Sequence, residues 1–262
     1  MSAFSVWTWN VNSIRARYDR VLNWIENNEP DVLCLQELKC QDGDFPYDEM
    51  SSLGYEACVY GQKAYNGVAI LSQEEPEEIR MGMDDGSNDT QARLVSARVG
   101  DIRVISAYVP NGGQVGSDKW VYKLSWYQRL LQWLETEFDP KDRLVLCGDF
   151  NVAPETLDVA RPGEWEGGVL CAQEVRDALS GVVEWGLSDT FRQHEAGPGH
   201  YSWWDYRRGG FRAGNGLRID MVYATSSLAK RCTAAHIDVE ERREHEGDTP
   251  SDHAPVGAIF DL

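Results

Sequence analysis

The sequence predicts one layered α/β sandwich. Three observations lead there: short β-branched and aromatic runs recur along the 262 residues, two stretches with helical apolar spacing lie between them, and some strand-like runs alternate while others are apolar throughout. An alternating strand packs one face, whereas a continuous apolar strand is covered on both, so sheets and helices must stack in layers. A hydrophobic content of 42% supports a substantial core. No Pro-, Gly- or Ser-rich stretch serves as a linker and no repeat is visible, so residues 1–262 read as a single domain.

The elements follow in order. Phe4 to Val11 is a first strand, and Ile14, Tyr18, Val21, Leu22 and Ile25 then recur at helical spacing in a helix that must end before Pro30. Strands are expected at Val32 to Gln36, Tyr55 to Tyr60 and Val68 to Leu71. The polar stretch Gly82 to Thr90 reads as a loop, followed by strands at Leu94 to Val99 and Ile102 to Val109. Trp120, Leu124, Tyr127, Leu131, Leu134 and Phe138 form the stripe of a long helix capped at Ser117 or Asp118. Further strands are expected at Leu144 to Cys147, Ile219 to Tyr223, Ala235 to Val239 and Val256 to Phe260. Periodicity does not give their order in the sheets.

Charge bears on partners. With 25 Lys and Arg against 43 Asp and Glu, the net charge of -18 weighs against a polyanionic ligand, because phosphate binding rests on neutralising cations. Net charge, however, is silent on distribution. Four acidic residues fall in the motifs below, so the excess is expected elsewhere, as in the run Glu240 to Asp248, which reads as a solvated loop. The acidity is read as adaptation to a salty interior. Six scattered cysteines without a C-x-x-C pair argue for reduced, buried thiols and against a zinc site. The amino terminus lacks the pattern of a secretory signal and no apolar run is long enough to span a bilayer, so a soluble cytoplasmic protein with no membrane contact is expected.

The chemistry lies at strand ends. Glu37 follows Val32 to Leu35, Asp149 follows Leu144 to Cys147, Asp220 opens Ile219 to Tyr223, and Asp252-His253 precedes the last strand. A lone strand-end carboxylate is ordinarily a solvated one. Four of them flanked by Asn or His instead point to one cleft at the rim of a rigid sheet. Oxygen-rich groups of this kind suit a hard divalent cation, Mg²⁺ in particular, with Glu37 the leading ligand and Asn10 and Asn12 completing a polar shell without added charge.

Taken together, the motifs Trp9 to Ala16, Leu35 to Lys39, Tyr65 to Ile70, Tyr108 to Gly112, Gly148 to Asn151, Leu217 to Asp220 and Ser251 to Pro255 resemble the exonuclease III family of apurinic/apyrimidinic endonucleases, in the endonuclease/exonuclease/phosphatase superfamily. They occur in the family's order over nearly the whole chain. Gly148 to Asn151 or Ser251 to His253 alone would mark only the superfamily. Leu217 stands where the mammalian-type enzymes carry Trp, so the chain looks bacterial-type, while Ser13 stands where many relatives have Gly.

The resemblance implies a four-layered α/β sandwich with two packed mixed β-sheets flanked by helices. It implies catalytic roles for Tyr108, Asp149, Asn151, Asp220 and His253, and a metal-binding set of Asn10, Asn12, Glu37, Asp149, Asn151, Asp252 and His253 around Mg²⁺, with Mn²⁺ as a substitute. Asp149 would accept a proton from the attacking water, and His253, oriented by Asp220, would donate to a phosphate oxygen. The stretch His200 to Arg212 interleaves aromatics with Arg, which suits DNA lacking a base. Trp203 and Leu217 are implied as walls of the abasic-sugar pocket, with Asn111 and the phosphate contacts Arg15, Arg17, Lys63, Arg93, Arg207, Arg208 and Arg212 around it. Trp204 reads equally as a pocket residue or as an anchor of the loop.

The expected function is therefore Mg²⁺-dependent cleavage 5′ to abasic sites in double-stranded DNA, with 3′-to-5′ exonuclease and 3′-phosphatase activity, by a monomer. The alternatives are another superfamily phosphodiesterase, such as a nonspecific DNase or a phosphoester phosphatase, and a non-catalytic abasic-DNA-binding module.

Overall fold

A computed structural model describes residues 3–244 and 248–262, apart from the side chain of Arg208. The chain runs β1 (Ala3–Asn10), α1 (Tyr18–Asn28), β2 (Val32–Gln36), α2 (Tyr47–Ser52), β3 (Glu56–Tyr60), β4 (Val68–Ser72), β5 (Glu77–Met81), β6 (Leu94–Val99), β7 (Ile102–Tyr108), α3 (Asp118–Glu137) and β8 (Leu144–Asp149). It continues through α4 (Pro162–Trp165), α5 (Gln173–Glu184), β9 (Leu187–Asp189), α6 (Thr190–His194), β10 (Asp220–Thr225), α7 (Ser226–Ala229), β11 (Cys232–Ile237) and β12 (Val256–Asp261). The predicted strands are all present, with ends differing by up to three residues, and both predicted helices form. Ser117 caps α3 by accepting from the Trp120 N–H, and α1 stops where Glu29 turns left-handed ahead of Pro30.

Two six-stranded sheets form, ordered β11-β12-β1-β2-β4-β3 and β5-β6-β7-β8-β10-β9. Each is mixed, with β1–β2 and β7–β8 the parallel pairs. Alternation of side chains across each strand builds the layers. Val6, Cys34 and Ile70 of the first sheet meet Val104, Val145 and Val222 of the second in the central core. On the outer faces, Trp7, Leu33, Leu35 and Leu71 pack on Trp24, Ile25 and Met50 of α1 and α2. Ile105, Leu144, Leu146 and Tyr223 pack on Leu130, Trp133 and Leu134 of α3 and on Val175 and Leu179 of α5. The result is the four-layered sandwich, helix–sheet–sheet–helix. No helix among the described residues is long and apolar enough to cross a membrane.

Parallel pairing has a functional consequence. The carboxyl ends of β1, β2, β7 and β8 reach one edge of the sandwich, while the antiparallel β10 and β12 start there. Tyr108, Asp149 and Asp220 lie in register on β7, β8 and β10, so they project from one face. Gly148 is essential to this placement. At φ +142°, a Cβ there would stand 1.9 Å from the Ala107 carbonyl oxygen of the neighbouring strand.

The structure also adds to and corrects the sequence reading. β5 is a fully exposed edge strand in which three of five residues are charged, and β9 has three residues, so neither carries a readable apolar pattern. Helix α5 buries only Val175, Leu179 and Val182, a narrow stripe. The acidic run from Glu240 is not a solvated loop throughout: Val239–Arg242 forms a 3₁₀ turn, Glu241 pairs with Arg20, and Arg242 is buried against the rings of Tyr206 and Phe211. Long arginine stems cover aromatic faces well, which a charge count does not reveal. Residues 245–247 of that run lie outside the described residues.

Candidate active site

The strand ends place their polar side chains in one hydrogen-bonded cluster. Asn10, at the end of β1, donates from Nδ2 to Glu37 Oε1 and Asp149 Oδ2, both at 2.9 Å, and so joins the two sheets. Asp149 also accepts from the Asn151 backbone N–H at 2.9 Å and from Asn151 Nδ2 at 3.1 Å. Asn151 is in the left-handed region at φ +50°, which folds its side chain back onto Asp149. Asn111 Nδ2 donates to Asn151 Oδ1 at 2.9 Å, and Tyr108 OH donates to Glu37 Oε1 at 2.9 Å.

His253 faces the same cluster from the turn before β12. Its Nδ1 lies 2.9 Å from Asp220 Oδ2, and its Nε2 lies 3.8 Å from Asp149 Oδ2. Ser251 Oγ donates to the Asn10 carbonyl at 2.6 Å, and Trp9 Nε1 donates to the His253 carbonyl at 3.1 Å, so the turn is locked to β1. Asp252 points elsewhere, accepting from Asn12 Nδ2 at 2.9 Å and Trp203 Nε1 at 3.0 Å.

Burial makes these charges interact strongly. It raises the Asp149 carboxyl to about 7, with Asp220 pushing the same way and His253 and the Asn10 hydrogen bond opposing. For His253 burial disfavours the charged ring, but Asp220 and Asp149 outweigh it and raise the imidazole to about 10. The ring is therefore an imidazolium at neutral pH, donating to Asp220 with its second N–H beside Asp149. Glu37 is pushed up by burial but held below its ordinary value by Lys39, by the Asn10 hydrogen bond and by His253. Tyr108 is raised well above its ordinary value by burial and by Glu37 and Asp149, so it remains a phenol donor.

A family model described as the Endonuclease/Exonuclease/phosphatase family matches residues 7–253, a span enclosing every one of these side chains. The chain belongs to that family. Exodeoxyribonuclease III of Haemophilus influenzae is 36% identical over 265 residues, covering 97% of this chain and 98% of that protein. Among solved structures, an AP endonuclease from Archaeoglobus fulgidus superposes with a TM-score of 0.92 at 38% identity, covering 99% of this chain and 100% of that one. The 3′-5′ exonuclease NExo of Neisseria meningitidis gives a TM-score of 0.93 at 36% identity with the same coverage. Within the endonuclease/exonuclease/phosphatase family, the chain therefore stands with the exonuclease III type of nuclease.

The donor set fits a hard divalent cation of the kind this family uses. Ligand atoms of Glu37, Asp149 and His253 lie within 4.8 Å of one another; the imidazolium of His253 has no lone pair to give, which leaves the carboxylate oxygens of Glu37 and Asp149, with Asn12 Oδ1 beside Glu37, for a cation. A positive charge already sits on the Glu37 side of this group, since Lys39 Nζ lies 2.9 Å from Glu37 Oε2 and also donates to Asn12 Oδ1.

The DNA-facing candidates are arranged unevenly. Trp203 is partly exposed, pairs through its backbone with both Leu217 and the His253 turn, and meets Trp165 edge-on at 5.6 Å. Leu217 has no exposed surface, so it backs Trp203 instead of lining a pocket itself. Trp204 is the anchor of its loop: it is buried and meets Phe211 edge-on at 5.1 Å. Arg15, Lys63, Arg207 and Arg212 are exposed, with Arg15 paired to Asp44, while Asn111 is exposed beside Asn151. Arg93 is not a free phosphate contact: it lies 4.8 Å from the Tyr108 ring centre and donates to the Tyr108 carbonyl. Arg17 is likewise engaged, donating to Tyr206 OH at 2.9 Å and so tying the aromatic loop to the first strand's exit. Arg208's side chain lies outside the described residues.

Three residues escaped the sequence reading. Ser202 Oγ donates to Asp220 Oδ2 at 2.6 Å and accepts from the Ile219 and Asp220 N–H groups, fixing the carboxylate that holds His253. Lys123, wholly buried within α3, donates to the carbonyls of Asn111, Asn151 and Val169, and burial lowers it to about 7 against the attraction of Asp149. Lys39 was visible only as part of a motif. A serine inside an aromatic stretch and a lysine on an amphipathic helix carry no signal that separates them from surface residues.

Proposed function

We propose that this chain is a Mg²⁺-dependent DNA repair nuclease that cleaves the phosphodiester 5′ to abasic sites in double-stranded DNA, with 3′-to-5′ exonuclease and 3′-phosphatase activity at the same centre. The observation that carries this reading is the junction of the two sheets, where Asn10 holds Glu37 and Asp149 together beside the His253–Asp220 pair. That arrangement offers a base, a charged donor and an oxygen site for a cation within reach of one phosphate.

Glu37 and Asn12 would hold the cation, with Asn10 orienting Glu37. Bound there, Mg²⁺ stabilises charge on the phosphoryl oxygens and the departing 3′ oxygen. Asp149 accepts the proton of the attacking water, which Asn151 and Asn10 align through the same carboxylate. His253 donates its Nε2–H to a non-bridging oxygen, and Asp220 keeps that ring charged and oriented. Tyr108 adds a phenolic donor. Trp203, backed by Leu217 and Trp165, forms the wall against which an abasic sugar rests.

A DNA substrate is supported by the Neisseria 3′ phosphatase NExo, whose structure holds a product DNA hairpin and which shares 36% identity with this chain at a TM-score of 0.93. The reading is of a monomeric, cytoplasmic enzyme, with Mn²⁺ able to replace Mg²⁺.

The test is cleavage of an end-labelled duplex carrying one abasic analogue, beside an undamaged duplex and a soluble phosphate ester, with and without Mg²⁺. Incision 5′ to the lesion only with Mg²⁺ is expected, and Asp149→Asn should lower turnover by about 10²–10⁴-fold. Equal cleavage of all three substrates, or unchanged turnover in Asp149→Asn, would overturn the proposal.

A further inference from the structure

We infer that Lys39 is a built-in placeholder for the divalent cation, holding Glu37 and Asn12 in their binding arrangement until the ion displaces its ammonium. This rests on the reading of Glu37 and Asn12 as cation ligands. Lys39 Nζ lies 2.9 Å from Glu37 Oε2 and donates to Asn12 Oδ1, thereby bridging the two oxygens a cation would bridge. The other groups of those ligands point away, since Glu37 Oε1 takes Asn10 and Tyr108 while Asn12 Nδ2 donates to Asp252. The ammonium thus occupies the one side left to these two ligands.

The backbone is shaped for this contact. Glu37 and Lys39 are both left-handed, at φ +53° and +54°, and Asn12 and Ser13 follow suit at +46° and +92°. Non-glycine residues rarely adopt such angles, and here they persist because neighbouring backbone pins them. Lys39 N–H donates to the Asn66 carbonyl at 2.9 Å, and Ser13 N–H to the Glu37 carbonyl at 2.8 Å. This double reversal returns the lysine stem over Glu37 instead of releasing it along the chain.

Lys39 differs from Lys123 in having an exit. Its side chain keeps 28% of its surface exposed, whereas Lys123 has none. An ammonium beside Glu37 lowers the repulsion among the buried carboxylates of the cation-free protein. It also lowers apparent cation affinity, in proportion to the time it occupies the site.

Mn²⁺ binding, followed by electron paramagnetic resonance of the free ion, tests the inference directly without any turnover. Wild type is compared with Lys39→Met, which keeps the stem and loses the charge, Lys39→Arg, which keeps the charge, and Glu37→Gln. If the ammonium occupies the site about nine-tenths of the time, Lys39→Met binds Mn²⁺ about tenfold more tightly and Lys39→Arg no more tightly than wild type. In thermal melts, Lys39→Met should unfold earlier than wild type without cation, yet gain more from added Mg²⁺. Equal or weaker Mn²⁺ binding by Lys39→Met, with wild-type binding lost in Glu37→Gln, overturns the placeholder alone. Mn²⁺ binding that is indifferent to Glu37→Gln, or absent from wild type, overturns the cation reading of Glu37 and the placeholder with it.

Discussion

Replacing Asp220 by Asn tests how the buried imidazolium is maintained. The substitution keeps the size of the side chain and removes the charge 2.9 Å from His253 Nδ1. Burial alone would drive His253 toward neutrality, and the ring instead holds its proton to about 10 because Asp220 and Asp149 stand against it. A hydrogen bond to a charged group contributes about 1.5–3 kcal/mol, equivalent to roughly one to two pH units of proton affinity. In Asp220→Asn the ring should therefore lose its proton at about pH 8–9 instead of about 10.

The assay is turnover of an abasic duplex from pH 6 to 10.5, paired with proton NMR of the His253 ring in cation-free protein. Wild type should show a bell, rising near 7 as Asp149 ionises and falling near 10 as His253 deprotonates. The variant's descending limb should move to about 8–9, and its ascending limb should move to lower pH because Asp220 no longer raises Asp149. Stability follows the same sign. A histidine whose folded value is raised contributes stability that is complete below its unfolded value of 6.5 and is lost as pH passes about 10. The deficit of the variant should therefore be largest in mildly acid solution and shrink at high pH. A descending limb and an NMR titration unchanged by Asp220→Asn would refute the assignment of His253's charge to Asp220.

Lys123→Met should leave the Asn111, Asn151 and Val169 carbonyls without their buried donor. At about 1–3 kcal/mol for each stranded group, a loss of about 3 kcal/mol or more is expected, read as a fall of roughly 6–12 °C in a thermal melt together with lower turnover as Asn151 drifts from Asp149. An unchanged melt would show that Lys123 is not the tie between these loops. The net charge of -18, read as adaptation to a salty interior, predicts that abasic-duplex cleavage survives near-molar KCl. Collapse of activity between low and near-molar salt would count against that reading, because ordinary phosphate contacts weaken steeply with salt.

Much of the site could be read from the chain because its residues sit where local pattern ends. Glu37 and Asp149 close apolar runs, Asp220 opens one, and a tyrosine or an Asn-containing turn marks each neighbouring exit. Where function depends on partners, local pattern fails. Arg93, Arg17 and Arg242 look like candidate or surface charges, and each is engaged with a tyrosine ring or hydroxyl brought from elsewhere. Leu217 looks like a pocket wall, yet it has no exposed surface, being buried in a cluster with Val159, Leu170 and Ile219 behind Trp203.

Alternation and helical spacing are properties of neighbouring residues, so the strands, the two main helices and the layered class are legible in the chain alone, together with the identity of the acids, amides and imidazole available for chemistry. The pairing of Asn10 with Asp149 spans 139 residues and that of Asn12 with Asp252 spans 240. Contacts of this kind leave no periodic trace: the packing of one mixed sheet on the other decided the first, and the antiparallel pairing of β1 with β12 within one sheet decided the second. Strand order, the re-aiming of Asp252 away from His253 and the return of Lys39 over Glu37 all depend on backbone directions that many sequences with the same pattern would not share.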